Sequence, residues 1–539
     1  MLARVALLFS IVGVVFTSYG QSEEGRLTGN IQSDIQYYLE DTIIGAEKVD
    51  EKIRSNTYAQ IDYAKGNFRA GVRLESYERA LIGYDPLYNG TGIANRYIRY
   101  QTDLITLTVG NFYDQFGSGM IFRTYEDRFL GIDNSLDGLH VLVTPLPGVQ
   151  IKVLSGRQRL FFTKGEGIVR GADGEWFINE SFESLIDKKS KIILGAGVIS
   201  KFQADDDPVY NLPENVAAYA GRFNLIRGGF SLQSEVAYKI NDPSLTNNFS
   251  YNEGKGFMVT SSYSQKGFSV SGGVKRIDNM DFRSDRNAGN NNLTLSFLPA
   301  FTKQHTYQLA AYYPYGTQPN GEIALQGEVS YKVPKGSQLG GKYGTQVTVS
   351  HSTVRTNNKA INAFSRIYDE DFISTGDVLL FRENNIEINR KFNKKWKGNF
   401  QYLSMIYDKD RIEQQAGFGK VFATIGVADI TYKINRKNAI RTEFQAMFTE
   451  QDQGNWAMAL AEYTVSPHWF IAVIDEYNYG NDVEKKRVHY LNTNVGYVQG
   501  SSRIALAYGK QRAGIICVGG VCRVLPATNG LRLSISTSF

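Results

Sequence analysis

Cysteine, proline and long apolar stretches are all scarce in this sequence of 539 residues. It has two cysteines and 12 prolines, and beyond its amino-terminal region it has no run of 18 or more apolar residues. Without such a run the mature chain cannot cross a membrane as a helix, so a membrane-resident form has to be a β-barrel. The scarcity of proline and the lack of a Ser/Gly-rich linker also leave no visible domain boundary.

Catalytic motifs and a surplus of one charge are missing as well. The formal charge is only +5, and the basic side chains are spread along the chain, so we do not expect nucleic acid as a partner. The five histidines are scattered without metal-ligand spacing. There is no Gly-x-Ser-x-Gly elbow and no phosphate-binding loop. We therefore expect neither an enzyme nor a cofactor.

The amino terminus has the features of a secretory signal. An apolar run covers residues 5–16, and the small residues Ser18 and Gly20 occupy the minus-three and minus-one positions of a cleavage site. The run is too short to favour a membrane anchor. The sequence therefore predicts a signal peptide at residues 1–20 and a mature domain at residues 21–539.

The mature chain alternates apolar and polar residues in segments of about ten residues, a length that crosses a bilayer at a tilt. Short turns alternate with long polar loops, as in outer-membrane barrels, where the short turns face the periplasm. We predict an all-β fold, a single large antiparallel up-and-down transmembrane barrel of about 24 strands, with a range of 22 to 26. It would lie in the lipid of the cell outer membrane, with both termini periplasmic.

Two soluble folds fit the pattern less well. A β-propeller would show a sequence repeat roughly every 40 to 50 residues, and a chain of sandwiches would show domain breaks about every hundred residues. Charged residues such as Arg73, Glu328 and Arg441 also stand in mid-strand opposite an apolar face. A barrel places those charges in a wet lumen and the apolar row against lipid.

The two cysteines flank Val-Gly-Gly-Val within residues 517–522. Gly-Gly can take the positive φ values of a two-residue hairpin turn, in which Val518 pairs with Val521 and Cys517 with Cys522. This second pair is non-hydrogen-bonded, and its Cα atoms approach to about 4.5 Å, within reach of a disulfide. We predict that disulfide, which requires an oxidising compartment. Two reduced thiols or, less favoured, a metal site are the alternatives.

Residues 114–137 interrupt two strands that should pair, and they combine glycine flexibility with clustered opposite charges. One interpretation is a loop folded into the lumen, where its charges narrow a pore or contact a solute. The other is an extracellular loop held by surface ion pairs, each worth less than about 1 kcal/mol. Residues 281–286 carry the same ambiguity. The charged candidates for the lumen loop are Arg123, Glu126, Asp127, Arg128, Asp133 and Asp137.

The last strand of the chain has its own pattern. Leu531, Leu533, Ile535 and Phe539 share one face and alternate with polar residues up to the carboxyl terminus. This resembles the closing strand of bacterial outer-membrane barrels, whose terminal aromatic residue is read by the barrel-assembly machinery. The resemblance implies these residues as an assembly signal and that machinery as a partner.

Several motifs combine into a wider resemblance. They are the closing run at residues 508–514, the cysteine hairpin with Arg523 at 517–523, residues 529–531 and the terminal Phe539, supported by residues 116–119 and 130–133. With these motifs the chain resembles an uncharacterised family of large outer-membrane β-barrel proteins from Bacteroidota. The resemblance implies the fold and a place in a Gram-negative envelope, and supplies no catalytic residue or substrate.

Further absences narrow the function. We see no globular plug before the first strand, as a TonB-dependent transporter would have, and no peptidoglycan-binding domain after the barrel. No ring of one charge sign, which would favour ion selectivity, is visible along the strands. We therefore expect a porin-like channel for small polar solutes, with residues 114–137 folded towards the lumen. The alternative is a non-conducting barrel scaffold, or a subunit of a secretion or envelope-assembly complex with envelope proteins as partners.

Overall fold

A computed structural model describes residues 25–361 and 367–539, so the predicted signal peptide lies outside the described residues. Most of the described chain is β-strand. The first half contains β1 (Arg26–Tyr38), β2 (Ile53–Lys65), β3 (Phe68–Glu78), β4 (Gly90–Gln101), β5 (Ile105–Phe112), β6 (Glu126–Asp127), β7 (Ile132–Asp133), β8 (Leu136–Leu146), β9 (Val149–Leu160), β10 (Thr163–Phe177), β11 (Ser190–Phe202), β12 (Asn215–Arg227), β13 (Phe230–Lys239), β14 (Gly254–Gln265) and β15 (Phe268–Asp278).

The second half continues the same rhythm. It contains β16 (Gly321–Val333), β17 (Thr345–Ile361), β18 (Tyr368–Lys391), β19 (Trp396–Asp408), β20 (Lys420–Lys433), β21 (Asn438–Phe448), β22 (Trp456–Val465), β23 (Trp469–Tyr477), β24 (His489–Gln499), β25 (Ser502–Gln511), β26 (Gly514–Val518), β27 (Val521–Leu525) and β28 (Thr528–Ser538).

Helices are few and short. The α-helices are α1 (Ile178–Ser181), α2 (Glu183–Ile186) and α3 (Lys409–Ile412), and single 3-10 turns lie at Pro86–Tyr88, Leu245–Asn247 and Glu484–Lys486. Among the residues that the structure describes, no helix is long and apolar enough to cross a membrane.

One antiparallel sheet of 24 strands contains every strand except β6, β7, β26 and β27. Each strand pairs with the next barrel strand along the chain, and β28 pairs with β1, which closes the sheet. The structure therefore confirms the predicted up-and-down barrel and its strand number.

The two faces of the sheet differ as the alternation predicts. On β13, Val236 and Tyr238 are exposed, whereas Glu235, Ala237 and Lys239, which alternate with them, are buried. In a closed barrel one face points outwards and the other into the lumen, so the exposed apolar face is the outer face of the barrel. The interior of the barrel, inside the wall of strands, is where the buried residues lie.

The connections differ between the two ends of the barrel. At one end, here the short-turn end, tight turns such as residues 66–67, 228–229 and 500–501 join the strands. The other end, the long-loop end, carries the longest connections, at residues 113–135, 279–320 and 512–527.

The division of loop lengths has exceptions on both sides. A tight turn at residues 161–162 stands at the long-loop end, while residues 178–189, which include α1 and α2, and residues 334–344 extend from the short-turn end. The strict alternation of short and long connections that the sequence suggests therefore holds for most of the barrel and not for all of it.

The cysteine hairpin is confirmed. Strands β26 and β27 pair Cys517 with Cys522, their Cα atoms lie 4.1 Å apart, and the two residues form a disulfide. Gly519 and Gly520 between the strands have φ values of +60° and +91°, a conformation that suits glycine.

The final strand closes the barrel against the first. Leu531 and Leu533 of β28 pair with Tyr37 and Ile35 of β1. At the short-turn end, Gly29 donates its amide to the carbonyl of Phe539 at 3.0 Å, and a Cβ on Gly29 would come within 2.5 Å of the Phe539 ring. The terminal aromatic ring therefore packs over a glycine that leaves room for it.

Candidate functional site

Two loops of the long-loop end pack against the inward face of the barrel wall, and a third packs against these loops. They are the first inner segment (residues 113–135, between β5 and β8), the second inner segment (residues 279–320, between β15 and β16) and the disulfide hairpin (residues 514–525). Apolar residues of the first and second inner segments and of the wall form the two larger buried clusters of the described chain, to which the disulfide hairpin contributes no residue. The candidate site is the lumen that these segments occupy.

The first and second inner segments are joined by backbone hydrogen bonds. Arg123 donates its amide to the carbonyl of Leu295 at 2.8 Å, and Phe297 donates to the carbonyl of Gly119 at 2.9 Å. The Arg123 guanidinium also stacks over the Phe297 ring, 4.0 Å from its centre. Arg123, a candidate for lining a pore, is therefore held at the contact between the two segments.

The disulfide hairpin is attached to the second inner segment in the same way. Ala300 donates its amide to the carbonyl of Gly519 at 3.2 Å, and Thr317 donates to that of Gly520 at 3.0 Å. A Cβ on Gly520 would lie 2.4 Å from the Thr317 hydroxyl oxygen, so the contact requires glycine. The three segments thus form one connected body.

A buried charge network fixes the first inner segment to the wall. Asp133 pairs with Arg73 of β3 and Arg159 of β9, and Glu75 pairs with the same two arginines at 2.9 and 2.6 Å. Glu126 adds a contact of 2.5 Å to Arg73. Apart from Glu126, these side chains are almost completely buried, so each charge depends on its partners.

The other charged residues of this segment also make specific contacts. Arg128 pairs with Glu126 at 2.6 Å and stacks over the Tyr58 ring of the wall at 4.2 Å. The Asp127 carboxylate accepts the amide of Leu130 at 2.9 Å and so holds the turn between β6 and β7.

Asp137 is placed differently from the other candidates. It is the second residue of β8, and its carboxylate pairs with Arg96 at 3.3 Å and Lys164 at 2.6 Å, two well-exposed side chains. It shares its face with Leu139, which is exposed on the outside of the barrel. Because side chains alternate along a strand, Asp137 belongs to the outer face and not to the lumen loop.

Asp114 fixes the start of the first inner segment. It accepts a hydrogen bond from His140 at 2.9 Å and pairs with Lys152 at 2.7 Å, both on inward faces of the wall. Burial would raise the pKa of Asp114, but the hydrogen bond from His140 and the charge of Lys152 outweigh burial and hold this pKa below its ordinary value.

The second inner segment neutralises acids of the opposite wall. Lys303 pairs with Glu328 at 3.0 Å and with Glu387 at 2.8 Å, and His305 contacts Glu383 at 2.8 Å. Partial burial would lower the pKa of Lys303, but the two carboxylates raise it. Glu328, expected to face open lumen water, is therefore covered by this segment together with Glu387.

Aromatic residues complete the packing of the second inner segment. Tyr312 and Tyr313 contact Trp456 and Tyr407 of the wall at ring-centre distances of 5.4 and 5.3 Å. The Arg512 guanidinium lies over the Tyr312 ring at 3.8 Å. Such pairs add specific geometry to burial, so this segment is a packed element and not a loose loop.

Sequence reasoning found the edge of this segment and missed most of it. Residues 281–286 were a lumen candidate, but residues 287–320 were not recognised. A local signal was present, since three of the 12 prolines, Pro299, Pro314 and Pro319, fall in this stretch, and proline is excluded from central strands.

The lumen near the short-turn end has a different character. Inward residues there are polar and exposed, among them Gln233, Ser262 and Ser271. The inward faces of β24, β25 and β28 border a cavity of about 320 Å³, here the seam cavity, which runs along the wall from Arg503 near the short-turn end to Gln511 and Thr528 at the long-loop end. The second inner segment contributes Gln308 to its lining and the first inner segment contributes no residue. Small or basic strand residues around it are Ala505, Ala507, Gly509, Gly530, Arg503 and Arg532.

The described residues contain no candidate metal centre. Within residues 25–361 and 367–539, no group of three His, Cys, Asp or Glu side chains is arranged to hold a metal ion.

Comparison with known proteins places the chain in a family. The model described as "Family of unknown function (DUF6029)" matches residues 1–539, so the chain belongs to that family. No curated protein matches the sequence. The expected origin in Bacteroidota stays a prediction.

Several solved structures resemble the barrel at low identity. The P pilus usher PapC translocation pore has 10% identity and a TM-score of 0.45, covering 95% of this chain and 99% of its own. The siderophore receptor PirA from Pseudomonas aeruginosa has 11% identity and a TM-score of 0.40, covering 97% and 81%. OccD1 (OprD) has 10% identity and a TM-score of 0.36, covering 97% of each chain. The barrel is defined by its own strand pairing.

Proposed function

We propose that this protein is an outer-membrane channel for small polar solutes, with its passage restricted by the inner segments. The observation that supports it best is the seam cavity, where a polar space remains along the wall although the neighbouring lumen is filled. Small side chains such as those of Ala505 and Ala507, and the absence of a side chain at Gly530, leave this space along the wall unfilled. A path bounded by small and polar side chains suits hydrated solutes.

The cellular location is part of the same proposal. An apolar outer face, a lumen lined by charge and a disulfide together suit a barrel in the outer membrane of a Gram-negative envelope, where thiols oxidise. We place the short-turn end and both termini in the periplasm, as is usual for such barrels. The inner segments then enter the lumen from the outside of the cell.

Single-channel conductance of the folded protein in a planar bilayer tests the channel. Ala507→Trp puts a large ring into the seam cavity and should lower the conductance. Leu506→Trp is the matched control, because Leu506 is the neighbouring residue on the lipid face and is half exposed. Silence of wild-type protein that is shown to be folded would reject the channel.

Deleting residues 120–135 tests the restriction. In a channel this deletion removes part of the body that fills the lumen, so the conductance should rise. A closed scaffold should stay silent after the deletion, provided that the other inner segment keeps its contacts. Resistance to SDS before heating shows whether the variant barrel has folded.

A scaffold that binds an envelope protein is the second candidate. Arg523 of the disulfide hairpin links two further loops of the long-loop end. It donates hydrogen bonds to the carbonyl of Gly83, between β3 and β4, and to that of Phe129, in the first inner segment, at 3.0 Å each. Near this point Leu87, Phe129 and Val524 expose most of their side chains. Exposed apolar groups on a filled barrel favour a binding surface, and a partner captured only when these three residues are intact would support it.

The barrel-assembly machinery is the partner that we propose for the closing strand. Leu531, Leu533 and Ile535 lie on the outward face of β28, and Phe539 follows directly after the strand. Removing Phe539 should reduce the amount of folded barrel in the outer membrane. Normal amounts of heat-modifiable barrel in that variant would count against the proposed signal.

A further inference from the structure

Basic side chains collect at one height of the lumen. Nine of them stand on inward faces within the last three residues of a strand at the short-turn end, spread over nine strands. Eight are exposed and one is half-buried. This set, here the basic ring, consists of Arg26, Arg69, Arg99, Lys191, Lys332, Lys391, Lys397, Lys433 and Arg503.

Aromatic residues on the outer face mark the level of the ring. Phe68 contacts Tyr100 at a ring-centre distance of 4.8 Å, and Trp396 contacts Tyr432 at 4.5 Å. Each of these four residues precedes or follows a member of the ring, so the two sets lie at the same height on opposite faces. Aromatic girdles sit where lipid meets water, which places the ring at the mouth of the lumen.

The strand register brings like charges directly opposite each other. Arg69 of β3 pairs with Arg99 of β4, and Lys391 of β18 pairs with Lys397 of β19. Like charges facing each other across an antiparallel pair destabilise the sheet. These two pairs reduce the stability of the sheet, so their presence at one mouth of the lumen calls for a functional reason.

Neutralising partners are missing around the ring. Across the described residues, no member has a carboxylate within 4.0 Å. The polar and aromatic contacts that do occur are with neutral groups. Arg99 donates to the Thr108 hydroxyl at 3.1 Å and lies over the Tyr97 ring, and Lys191 donates to the Ile186 carbonyl. Lys391 lies over the Tyr343 ring, and Arg503 lies over the Phe470 ring.

Acids on the inward face near this end are engaged elsewhere. Asp62 accepts the Tyr97 hydroxyl at 2.9 Å, and Glu175 lies 3.6 Å from Arg222. Glu462 faces Arg441 across β21 and β22. These acids leave the positive field of the ring largely uncompensated.

We propose that the basic ring attracts small anionic solutes, those that carry phosphate or carboxylate groups, into the lumen. An anion between facing basic residues would relieve their repulsion, and arginine can hold its oxygens in a two-pronged contact. Arg503 also borders the seam cavity together with Arg532, which hydrogen-bonds the neutral Gln511 at 3.1 Å, so positive charge continues from the mouth into the cavity. The inference rests on the proposed channel and adds its solute class.

Ion selectivity measured in a salt gradient tests the transport side. Wild-type channels in a gradient of potassium chloride should show a reversal potential shifted towards the chloride potential. The double variant Lys391→Gln and Lys397→Gln should reduce that shift. The matched control is Lys394→Gln with Lys395→Gln, which removes the same charge from the exposed turn between the same strands.

Binding of inorganic pyrophosphate to the folded, detergent-solubilised barrel tests the ring without any need for conductance. Calorimetry should show about a tenfold loss of affinity in the Lys391/Lys397 double variant, and no change in the Lys394/Lys395 control. Equal affinity in both variants, or no binding by the wild-type barrel, would overturn the inference. Binding by a barrel that never conducts would reject the channel and leave the anion site standing.

Discussion

The two halves of the lumen handle charge in opposite ways. In the long-loop half, charged side chains such as Arg73, Arg159 and Glu75 are buried and paired, and apolar and aromatic residues fill the space between the segments. In the short-turn half, basic side chains are exposed, unpaired and in two places opposed to each other. One half is built like a protein core and the other like a wet surface.

This difference separates structure from function within one barrel. Buried charges without partners cost several kcal/mol, so pairing in the filled half is what stability requires. Water screens the open half, where facing lysines cost less than buried charges without partners would and remain available to a solute. Substitutions in the first half should therefore change the free energy of unfolding, and substitutions in the second half should change solute selection.

The largest effect on stability is expected at the buried network. Arg159→Ala leaves Glu75 and Asp133 with one buried partner fewer and should lower the free energy of unfolding by about 3 to 5 kcal/mol. The matched control is Arg79→Ala, because Arg79 pairs with Glu51 at 3.0 Å while both side chains are more than half exposed. That change should cost less than about 1 kcal/mol.

Unfolding in urea, followed by tryptophan fluorescence in lipid vesicles, measures both variants. A similar small loss for Arg159→Ala and Arg79→Ala would show that the first inner segment is not held by its charges. The contrast between the two halves would then have to rest on apolar packing alone.

A smaller effect is expected at the disulfide hairpin. Replacing Cys517 and Cys522 with serine opens a very short loop, so the free energy of unfolding should fall by only about 2 kcal/mol. The contacts of Gly519 and Gly520 with the second inner segment should loosen first. Hydrogen exchange of residues 514–525 measures this, and unchanged exchange would mean that the neighbouring segment holds the hairpin without its disulfide.

Local pattern was enough to predict the wall of the barrel. Alternation along each strand and the lengths of the turns depend on neighbouring residues, so they predicted the 24 strands. The hairpin at Cys517 and Cys522 was equally local, because its turn and its pairing lie within six residues. Features of this kind need no knowledge of distant contacts.

The interior depended on contacts between distant residues and was found only in part. Lys303 meets Glu328 and Glu387, and Asp133 meets Arg73, across separations that no periodicity reveals. The basic ring was missed for the same reason. Lys391 and Lys397 look like unrelated charges in the sequence, and the strand register places them side by side. A ring of charges can be recognised only when the register of the strands around the whole sheet is known.

The smallest effect expected is a response of the first inner segment to acid. The pKa of Asp114 is lowered in the folded barrel, so its carboxylate contributes fully above the ordinary aspartate pKa of about 3.9. That contribution is lost as the pH falls through the lowered pKa, because the proton displaces Lys152 and His140. The segment should therefore behave alike from neutral pH down to about pH 4 and loosen only below it.

Hydrogen exchange of residues 113–123, corrected for the intrinsic rate at each pH, measures this loosening. Asp114→Asn should remove the acid-dependent step, since the amide does not titrate, while exchange at neutral pH should already be faster than in the wild type. Asp103→Asn, in the turn at residues 102–104 of the short-turn end, should leave the step intact. If the step persisted in Asp114→Asn, another acid would hold the segment, and the buried network around Asp133 would be the next place to look.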